Sequence, residues 1–428
     1  MAVLALSASG PVFPQAKEWT LTDCIDYALQ QNISVRKADL STSIGEISLQ
    51  QARNNRLPNL NSSIGQNYSW KEANPDTARI NTSTSFGINS GVTLFSGFEM
   101  KNNIRKAEIN YEALKYAGLE TKESISLSLL NAYLQVLYAE EKVSTSQDQV
   151  NSTAEELRLA GERQKLGAIA TSDYLQVKAQ LASQNQALAA AISNLALNKV
   201  TLMQLMELPI TDTFRIAKPD LNQIIAVAKD QQAADVYGAA LEVKPEIKGA
   251  ALSTEESLVN LELAKSGYYP TISMSAGIST GLSGIDKIIV TGPLKDRLAT
   301  TVGLTASIPI FSRWANKSSV STAKANIMMA QLDEQNVKNQ LRKEIEQACL
   351  DARSAVVEYE AAQESYASAQ ESYNVAAEKY NQGFMSSIDF LAVKTTLIQA
   401  QSNLLQAKYQ LVFDEKIIDF YRGTPLSL

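Results

Sequence analysis

The sequence predicts a mainly α-helical protein with a small β part, built from two tandem structural repeats. Three observations support this fold class. The stretch 41–60 is similar to the stretch 253–272, the stretches 76–208 and 310–424 contain no proline, and four short segments alternate apolar with polar residues. Long proline-free stretches rich in Ala, Leu, Gln, Glu and Lys are typical of long helices, and alternation is typical of strands.

The internal repeat defines the domain organisation. We expect a signal peptide or its remnant at 1–16, a first repeat at 17–208, an inter-repeat linker in an equatorial region at 209–230, and a second repeat at 231–428. The segment 1–16 has an apolar patch followed by small residues but no basic region before them, so we favour export, with a disordered tail as the alternative. The recurring residues are Leu49, Ala52, Pro58, Gly167 and Asp173, which correspond to Leu261, Ala264, Pro270, Gly383 and Asp389.

Each proline-free stretch predicts a long helical hairpin, at 97–208 and at 313–422. A single glycine-bearing turn interrupts each hairpin, around Gly167 and around Gly383. An outgoing arm of about 65 residues would be about 100 Å long at 1.5 Å per residue. A compact domain does not need this length, whereas a stalk or a tube does.

One helical seam in the second hairpin has an unusual composition. Tyrosine recurs at every seventh position from 359 to 380, and alanine lies between successive tyrosines, with the spacing of a heptad. In a tube wall each helix contacts two neighbours around a wide curve. Tyrosine rings on one helix can fill the gaps over alanines on the next helix, which suits this arrangement. Simple packing within a helical bundle is the alternative. The seam residues are Tyr359, Ala362, Tyr366, Ala369, Tyr373, Ala376 and Tyr380.

Four segments, at about 58–70, 82–95, 270–280 and 300–311, alternate like strands. Their polar face is almost entirely Ser, Thr, Asn and Gly. An apolar outer face with a small, uncharged inner face is typical of an outer membrane barrel, whereas two half-buried hairpins of a soluble sheet are the alternative. The expected lipid-facing residues are Ile64, Phe86, Ile88, Met274, Leu304 and Ile308.

Four strands cannot close a barrel by themselves, and an open sheet edge is not tolerated in lipid. The chain must therefore form oligomers. Two chains would give eight strands, whose interior is normally filled by side chains, and three would give twelve, which leaves room for a channel. Three chains would also contribute twelve long helical arms.

Composition excludes several other classes of function. The net charge of −6 and the pI near 5.1 argue against nucleic acid as a partner. There is no histidine, the usual general base and a common metal ligand, and no recognisable catalytic motif, so we expect neither an enzyme nor a cofactor or metal site. We expect Cys24 and Cys349 to be buried thiols. No apolar run reaches the roughly 18 residues of a transmembrane helix.

The doubled unit, the paired strands and the Gly-x5-Asp turns at Gly167 and Gly383 resemble the TolC-like outer membrane efflux proteins. The strand-to-helix junctions "LFSG" (94–97) and "IFSR" (310–313) add to the resemblance, which extends from Trp19 to about Gly423. It implies a homotrimer with a 12-stranded barrel in the outer membrane and an α-helical barrel across the periplasm. Such a channel serves a tripartite efflux or type I secretion system, with an inner-membrane pump and a periplasmic adaptor as partners.

The resemblance also implies a set of functional residues. Asp173 and Tyr380 match a pair that holds the tip of the channel closed, and Asp389 matches an acidic ring at the mouth. A second latch of the family uses an arginine where this chain has Met385, and a second acidic ring falls on Ala392, so neither is expected here. The turns that contact an adaptor are Lys165, Leu166, Gly167 and Ala168, and Asn381, Gln382, Gly383 and Phe384.

Two alternatives to a gated channel stay open on sequence grounds. The acids Asp173 and Asp389 also fit simple helix chemistry, because an acid in the first helical turn interacts favourably with the helix dipole. A periplasmic or secreted coiled-coil scaffold without a pore would explain the helices, but it has no use for uncharged, alternating strands. The sequence does not indicate whether the cargo is a drug, a metal, a lipid or a protein.

Overall fold

The computed structural model describes residues 18–72, 78–221, 225, 232–285, 288–289 and 298–428. The expected signal segment at 1–16 lies outside these residues, as does part of the expected linker at 209–230. Among the helices in the described ranges, none combines the length and the hydrophobicity that crossing a lipid bilayer requires.

The helices occur in two series of matching length. In chain order, α1 to α4 contain 11, 22, 67 and 35 residues, and α5 to α8 contain the same numbers. Equal lengths are what a repeated unit predicts. The elements are β1 (Glu18–Trp19), α1 (Leu21–Gln31), α2 (Ile33–Asn54), β2 (Asn59–Glu72), β3 (Ala78–Ser96), α3 (Glu99–Lys165), α4 (Thr171–Leu205), β4 (Arg215–Ile216), α5 (Ala233–Val243), α6 (Pro245–Ser266), β5 (Thr271–Ile285), β6 (Ile288–Ile289), β7 (Ala299–Ser307), α7 (Ala315–Asn381) and α8 (Ser387–Tyr421).

The chain divides into two compact units. One, here called the helical unit, comprises the described residues within Met1–Ala38, Gly118–Ile247 and Lys338–Leu428. The other, the sheet unit, comprises Asp39–Ala117 and Lys248–Val337. Each unit contains segments from both of the expected sequence repeats, so the spatial division differs from the division by sequence.

The helical unit has a continuous apolar core between α1, α3, α4 and α8. Leu129, Leu130, Leu202 and Val412 are among its fully buried side chains. The core also buries Tyr133, whose hydroxyl donates a hydrogen bond to the backbone oxygen of Ala217 (2.6 Å) and lies 3.1 Å from the backbone oxygen of Trp19. These contacts hold the short parallel pair β1 and β4 against α3. Cys24 and Cys349 are buried thiols, as expected.

The sheet unit contains an antiparallel sheet in the order β2–β3–β5–β7, with β6 pairing at one end of β5. The helical segments of this unit contact one another in the matching order. Thr42 of α2 donates to the backbone oxygen of Leu114 in α3 (3.4 Å), and Lys106 of α3 forms an ion pair with Glu256 of α6 (3.4 Å). Thr254 of α6 donates to Glu334 of α7 (2.8 Å). Both the sheet and the helical layer therefore have α2 and β2 at one edge and α7 and β7 at the other.

The strand boundaries differ from the sequence-based ones at one important place. We expected the last strand to reach about 311, but β7 ends at Ser307, and Ile308 lies just beyond it. The physical reason is a pair of prolines, because the register places Pro270 opposite Ile308 and Pro309 follows it, and neither proline has an N–H group to donate to a strand ladder. The prediction that Ile308 belongs to the alternating strand is therefore wrong. The other three strands extend beyond their expected ends, to Glu72, from Ala78 and to Ile285.

Candidate functional site

The strand register places most of the expected apolar residues on one face of the sheet. Ile64 pairs with Phe86, and Met274 pairs with Leu304, so each pair shares a face. Ile88 follows Phe86 by two positions and lies on the same face. All five side chains are exposed in a single chain. Within the described ranges no apolar layer covers these side chains, and contact of this face with lipid stays a prediction.

The opposite face of the sheet carries only small residues in its central part. Ser63 pairs with Gly87, which in turn pairs with Ser279, and Gly303 pairs with Ser275. Asn and Thr occupy the neighbouring positions of the same face, including Asn61, Asn89, Thr301 and Thr305. Small uncharged groups on this face leave space and form no ion pairs.

Each helical hairpin ends in a turn that glycine makes possible. Gly167 and Gly383 have φ values of +73° and +81°, in the left-handed region where side chains with a Cβ are strained. The backbone N–H groups after them close each turn, since Ala168 donates to Arg163 and Phe384 donates to Lys379, both over 2.8 Å. The two turns contain the eight residues that we expected to contact an adaptor.

Both turns present a large apolar side chain to solvent. Leu166 is 83% exposed and Phe384 is 81% exposed. The surroundings of both glycines are open, because an added Cβ would meet no atom within 4 Å. Arg163 links the two hairpins here, donating to Asn381 over 3.3 Å. An apolar residue on an accessible turn can serve as an anchor for another protein, although docking at this place stays a prediction.

Asp173 lies where the first turn of α4 meets the first turn of α8. Its carboxylate accepts a hydrogen bond from the hydroxyl of Ser387 (2.7 Å), which is also 3.1 Å from Oε1 of Gln176. Ser387 is 4% exposed, so this contact is partly shielded from water. The sequence reasoning selected Asp173 but missed Ser387, because no local pattern marks a serine at the start of a helix as a partner for an acid 214 residues away.

Tyr380, the expected partner of Asp173, contacts its surroundings mainly through its ring. The ring stacks on Phe390 with centroids 4.7 Å apart and an angle of 4° between the planes, and Arg163 lies 5.8 Å from its centre. Burial raises the pKa of the phenol, Arg163 opposes the rise, and Asp173 and Glu156 add to it. Tyr380 and Asp173 are thus close enough to interact electrostatically, while their role as a latch stays a prediction.

Asp389 is exposed and participates in the N-terminal cap of α8. Ser386 accepts a hydrogen bond from the backbone N–H of Asp389 (3.1 Å) and donates to its carboxylate (2.7 Å). This geometry is what the helix-chemistry alternative requires. It also leaves the carboxylate accessible at the end of the hairpin, as a role at a channel mouth requires.

A buried cation joins the two hairpins further from the turns. Lys394 of α8 is 4% exposed and donates to Thr153 (2.9 Å) and Glu156 (2.7 Å) of α3. Tyr373 of α7 also donates to the same oxygen of Glu156 (3.4 Å), and burial followed by the charge of Glu156 raises the pKa of this phenol. Three helices therefore meet at one polar node.

This node belongs to a series of polar contacts between the antiparallel helices α3 and α8. Lys142 donates to Ser402 (2.7 Å), and Gln149 donates to Gln401 (3.2 Å). At the far end, Tyr409 donates to Glu141 (2.9 Å). Polar contacts of this kind favour one register of the two helices over others.

The candidate site consists of the two hairpin turns and the helix ends next to them. No cluster of three or more Cys, Asp or Glu side chains in the described ranges could hold a metal ion. The acids near the turns interact with hydroxyls, amides and the helix N-terminus. Their carboxylates can accept hydrogen bonds and attract cations from solution.

Comparison with known proteins gives consistent results. A family model described as outer membrane efflux protein matches residues 24–207 and 236–420, which is one match in each repeat. The outer membrane efflux protein BepC of Brucella suis biovar 1 (strain 1330) is 21% identical over 92% of this chain and 83% of its own length. The outer membrane protein TolC of Escherichia coli (strain K12) is 23% identical over 99% of this chain and 85% of its own length.

The fold agrees with the sequence comparison. A crystal structure of CusC, described in connection with folding and transmembrane channel formation, superposes with a TM-score of 0.78. The alignment covers 97% of this chain and 96% of that one at 19% identity.

Proposed function

The chain belongs to the outer membrane efflux protein family, and we propose that three copies of it close into a continuous channel for a pump and its adaptor. As a family member it is an outer membrane transport protein with a long helical part in the periplasm. The proposal adds the trimer, the inward and outward faces of the barrel, and the gate at the hairpin turns.

The observation that carries the proposal is the sheet, which has two different faces and whose edge strands β2 and β7 pair with no further strand in the part of the chain that the structure describes. Edge strands expose unpaired N–H and C=O groups, which is untenable in lipid unless another chain pairs with them. One face is apolar and the other is small and uncharged, as a lipid surface and a pore lining require. Pairing of β2 with β7 of the next copy would satisfy both edges, and three copies supply twelve strands.

The helices at the two edges support the same closure. On α2, Leu40, Ile44 and Ile47 form an exposed stripe on the side opposite the buried contacts of this helix. On α7, Met328, Met329 and Leu332 are also exposed. Because α2 precedes β2 and α7 follows β7, closure of the sheet edges brings these two stripes next to each other. Burying them would gain roughly 25 cal/mol for each Å² of apolar surface.

The hairpin turns supply the regulated end of the channel in this proposal. An adaptor would contact the eight turn residues, with Leu166 and Phe384 as apolar anchors. Asp173, Ser387 and Tyr380 would hold the two hairpins together in the closed state, and the three copies of Asp389 would give the mouth a preference for cations. The supporting facts are the exposure of the two anchors and the hydrogen bond between Ser387 and Asp173.

Two measurements on the purified protein test the proposal. Native mass spectrometry in detergent should give three copies of the 46.6 kDa chain, and reconstitution into a planar lipid bilayer should give discrete ionic currents. Ile44→Glu should weaken the trimer, whereas Gln50→Glu, which places the same charge on the flank of α2, should leave it intact. A monomer would contradict the channel, and a trimer without conductance would favour the scaffold alternative.

A further inference from the structure

A groove lies between α3 and α8 in the helical unit, and the mechanism proposed above does not use it. Its volume is about 300 Å³. Four amide side chains form its rim, and the rings of Tyr138 and Phe413 contribute to its floor. The rim residues are Asn131, Gln135, Gln406 and Gln410. We call this feature the amide groove.

The rim amides are available to a ligand. Asn131, Gln135 and Gln406 are exposed, and within the described ranges their side-chain amides form no hydrogen bond to another protein group. The NH₂ group of Gln410 donates a hydrogen bond to Asp414 (3.0 Å), and this bond fixes the position of the Gln410 side chain. Each free amide offers two donors and one carbonyl acceptor. The groove therefore presents both kinds of partner without any charge.

The floor offers flat apolar surface. Tyr138 meets Tyr409 edge to face, with centroids 5.9 Å apart and an angle of 81° between the planes. Tyr409 is fixed at its other end by its hydrogen bond to Glu141 (2.9 Å). Phe413 and Tyr138 are half-buried rather than fully buried, so part of each ring faces the groove. Rings held in this way can stack on a ring of a ligand.

The helices α3 and α8 on either side of the groove are here called the helical wall. The orientation of α3 shows which side of this wall carries the groove. Residues two positions apart on a helix point about 200° apart, so Asn131 and Gln135 point away from Tyr133, which lies between them. Tyr133 contacts β1 and β4. The layer formed by β1 and β4 thus lies on one side of the wall and the amide groove lies on the other. When the wall curves into a tube, the added layer fits only on the outside, and the groove faces the interior.

We propose that the amide groove binds uncharged, ring-bearing solutes with hydroxyl or amide groups as they pass through the channel. This proposal rests on the proposed function, because solutes can reach the groove during transport only if it faces the interior of a closed tube. The rings provide a stacking surface, and the amides provide matched donors and acceptors. The lining contains no carboxylate, so a permanent cation would meet only aromatic rings and amide oxygens, and no opposite charge would offset its loss of water. A neutral solute loses less water on entry, and the groove therefore favours neutral cargo, in contrast to the acids at the turns.

Equilibrium dialysis of the detergent-solubilised protein tests binding directly. The probe is chloramphenicol, an uncharged molecule with one aromatic ring, one amide and two hydroxyls, and ethidium is the cationic comparison. We expect saturable binding of chloramphenicol and a Kd about tenfold weaker in the double variant N131A/Q406A, which removes two neutral hydrogen-bonding side chains. Gln399→Ala is the matched control, because Gln399 is an exposed amide of α8 outside the groove that bonds to Asn403. No binding by the parent, or equal loss in the control, would overturn the proposal.

A second experiment tests the direction in which the groove points. Because both native thiols are buried, Gln406→Cys should be the reactive position in the assembled protein. A small charged thiol reagent should modify it and lower the conductance of the reconstituted channel, and bound chloramphenicol should slow this modification. If Gln406→Cys is not modified in the assembled protein, another surface covers the groove and the inference is wrong. A parent without conductance would instead refute the proposed function, while dialysis would still decide whether the groove binds.

Discussion

The hydroxyl of Ser387 lies 2.7 Å from the carboxylate of Asp173, and this hydrogen bond joins the first turn of α8 to the first turn of α4. It connects the two helical hairpins next to the turns that we propose as the regulated end of the channel. Its acceptor carries a charge and its donor is almost fully buried. Hydrogen bonds to charged groups contribute about 1.5–3 kcal/mol, more than an ordinary neutral pair.

Ser387→Ala should therefore loosen the closed end. Loss of about 1.5–3 kcal/mol from the closed state would raise the open population tenfold or more, provided that opening separates these helices. We expect more frequent or larger currents in planar bilayers and greater leakage of small antibiotics into cells. Ser386→Ala is the matched control, because Ser386 caps α8 without contacting Asp173. Equal currents in the parent and in Ser387→Ala would remove this contact from the gate.

Tyr380 allows the roles of its ring and its hydroxyl to be separated. Tyr380→Phe keeps the stack on Phe390 and removes the hydroxyl that the family resemblance pairs with Asp173. We expect Tyr380→Phe to raise conductance, but less than Ser387→Ala does. Tyr380→Ala also removes the stack, which is worth about 0.5–1.5 kcal/mol beyond its buried area, and should raise conductance further. Parent-like currents in Tyr380→Phe would show that the hydroxyl is not a latch.

The long helices and the two faces of the sheet could be predicted from sequence because they depend on local periodicity. Alternation placed Ile64 and Phe86 on one face, and the register pairs these two residues directly. The error at Ile308 arose because the apolar and polar residues continue to alternate past Ser307, whereas Pro270 opposite Ile308 and Pro309 after it have no N–H groups with which to extend the ladder.

The contacts between the hairpins could not be predicted in the same way. Lys394 forms a hydrogen bond to Glu156, which lies 238 residues away in the sequence. Ser387 forms one to Asp173, which lies 214 residues away. Such pairs depend on how two neighbouring helices align along their lengths, and a shift of one turn would change every partner. The sequence shows a lysine beside an apolar seam, which indicates a buried or snorkelling cation, but it does not indicate which acid lies opposite.

Substitutions on the two faces of the sheet should have unequal effects. Ile64→Arg places a charge on the face that we assign to lipid and should cost about 2–4 kcal/mol near the middle of the membrane. Ser63→Arg is its neighbour on the small, uncharged face and should still assemble, with altered conductance. Resistance of the folded barrel to urea, followed by gel mobility, measures the first effect. Similar losses for both variants would contradict the assigned faces.

Asp389→Asn should reduce the cation preference of the channel mouth without preventing trimer assembly. Three exposed carboxylates near one axis attract cations, and three amides do not. The reversal potential across a salt gradient should move toward zero, and block by divalent cations should weaken. Glu378→Gln is the control, because Glu378 is an exposed acid in the last turn of α7. An unchanged reversal potential would leave Asp389 with only its role in capping α8.

Asp414 should make the stability of the helical unit depend on pH. Burial raises its pKa to about 6 from an ordinary value of 3.8, the hydrogen bond from Gln410 opposes this rise, and Asp351 and Glu358 add to it. The folded state therefore binds a proton more tightly than the unfolded state does. The contribution of Asp414 to stability is therefore most favourable below pH 4, decreases as the pH rises from 4 to 6, and stays at its lower level above pH 6.

Asp414→Asn should relieve this penalty at neutral pH by at most about 3 kcal/mol, and by less where water screens the carboxylate. The asparagine oxygen can still accept the hydrogen bond from Gln410, so the local contacts should persist. Thermal unfolding followed by circular dichroism at several pH values should show a higher midpoint at pH 7 and a flatter profile between pH 4 and pH 6. The exposed acid Asp333 offers a control in Asp333→Asn, which should keep the slope of the parent. If Asp414→Asn retains that slope, a different group binds the proton on folding.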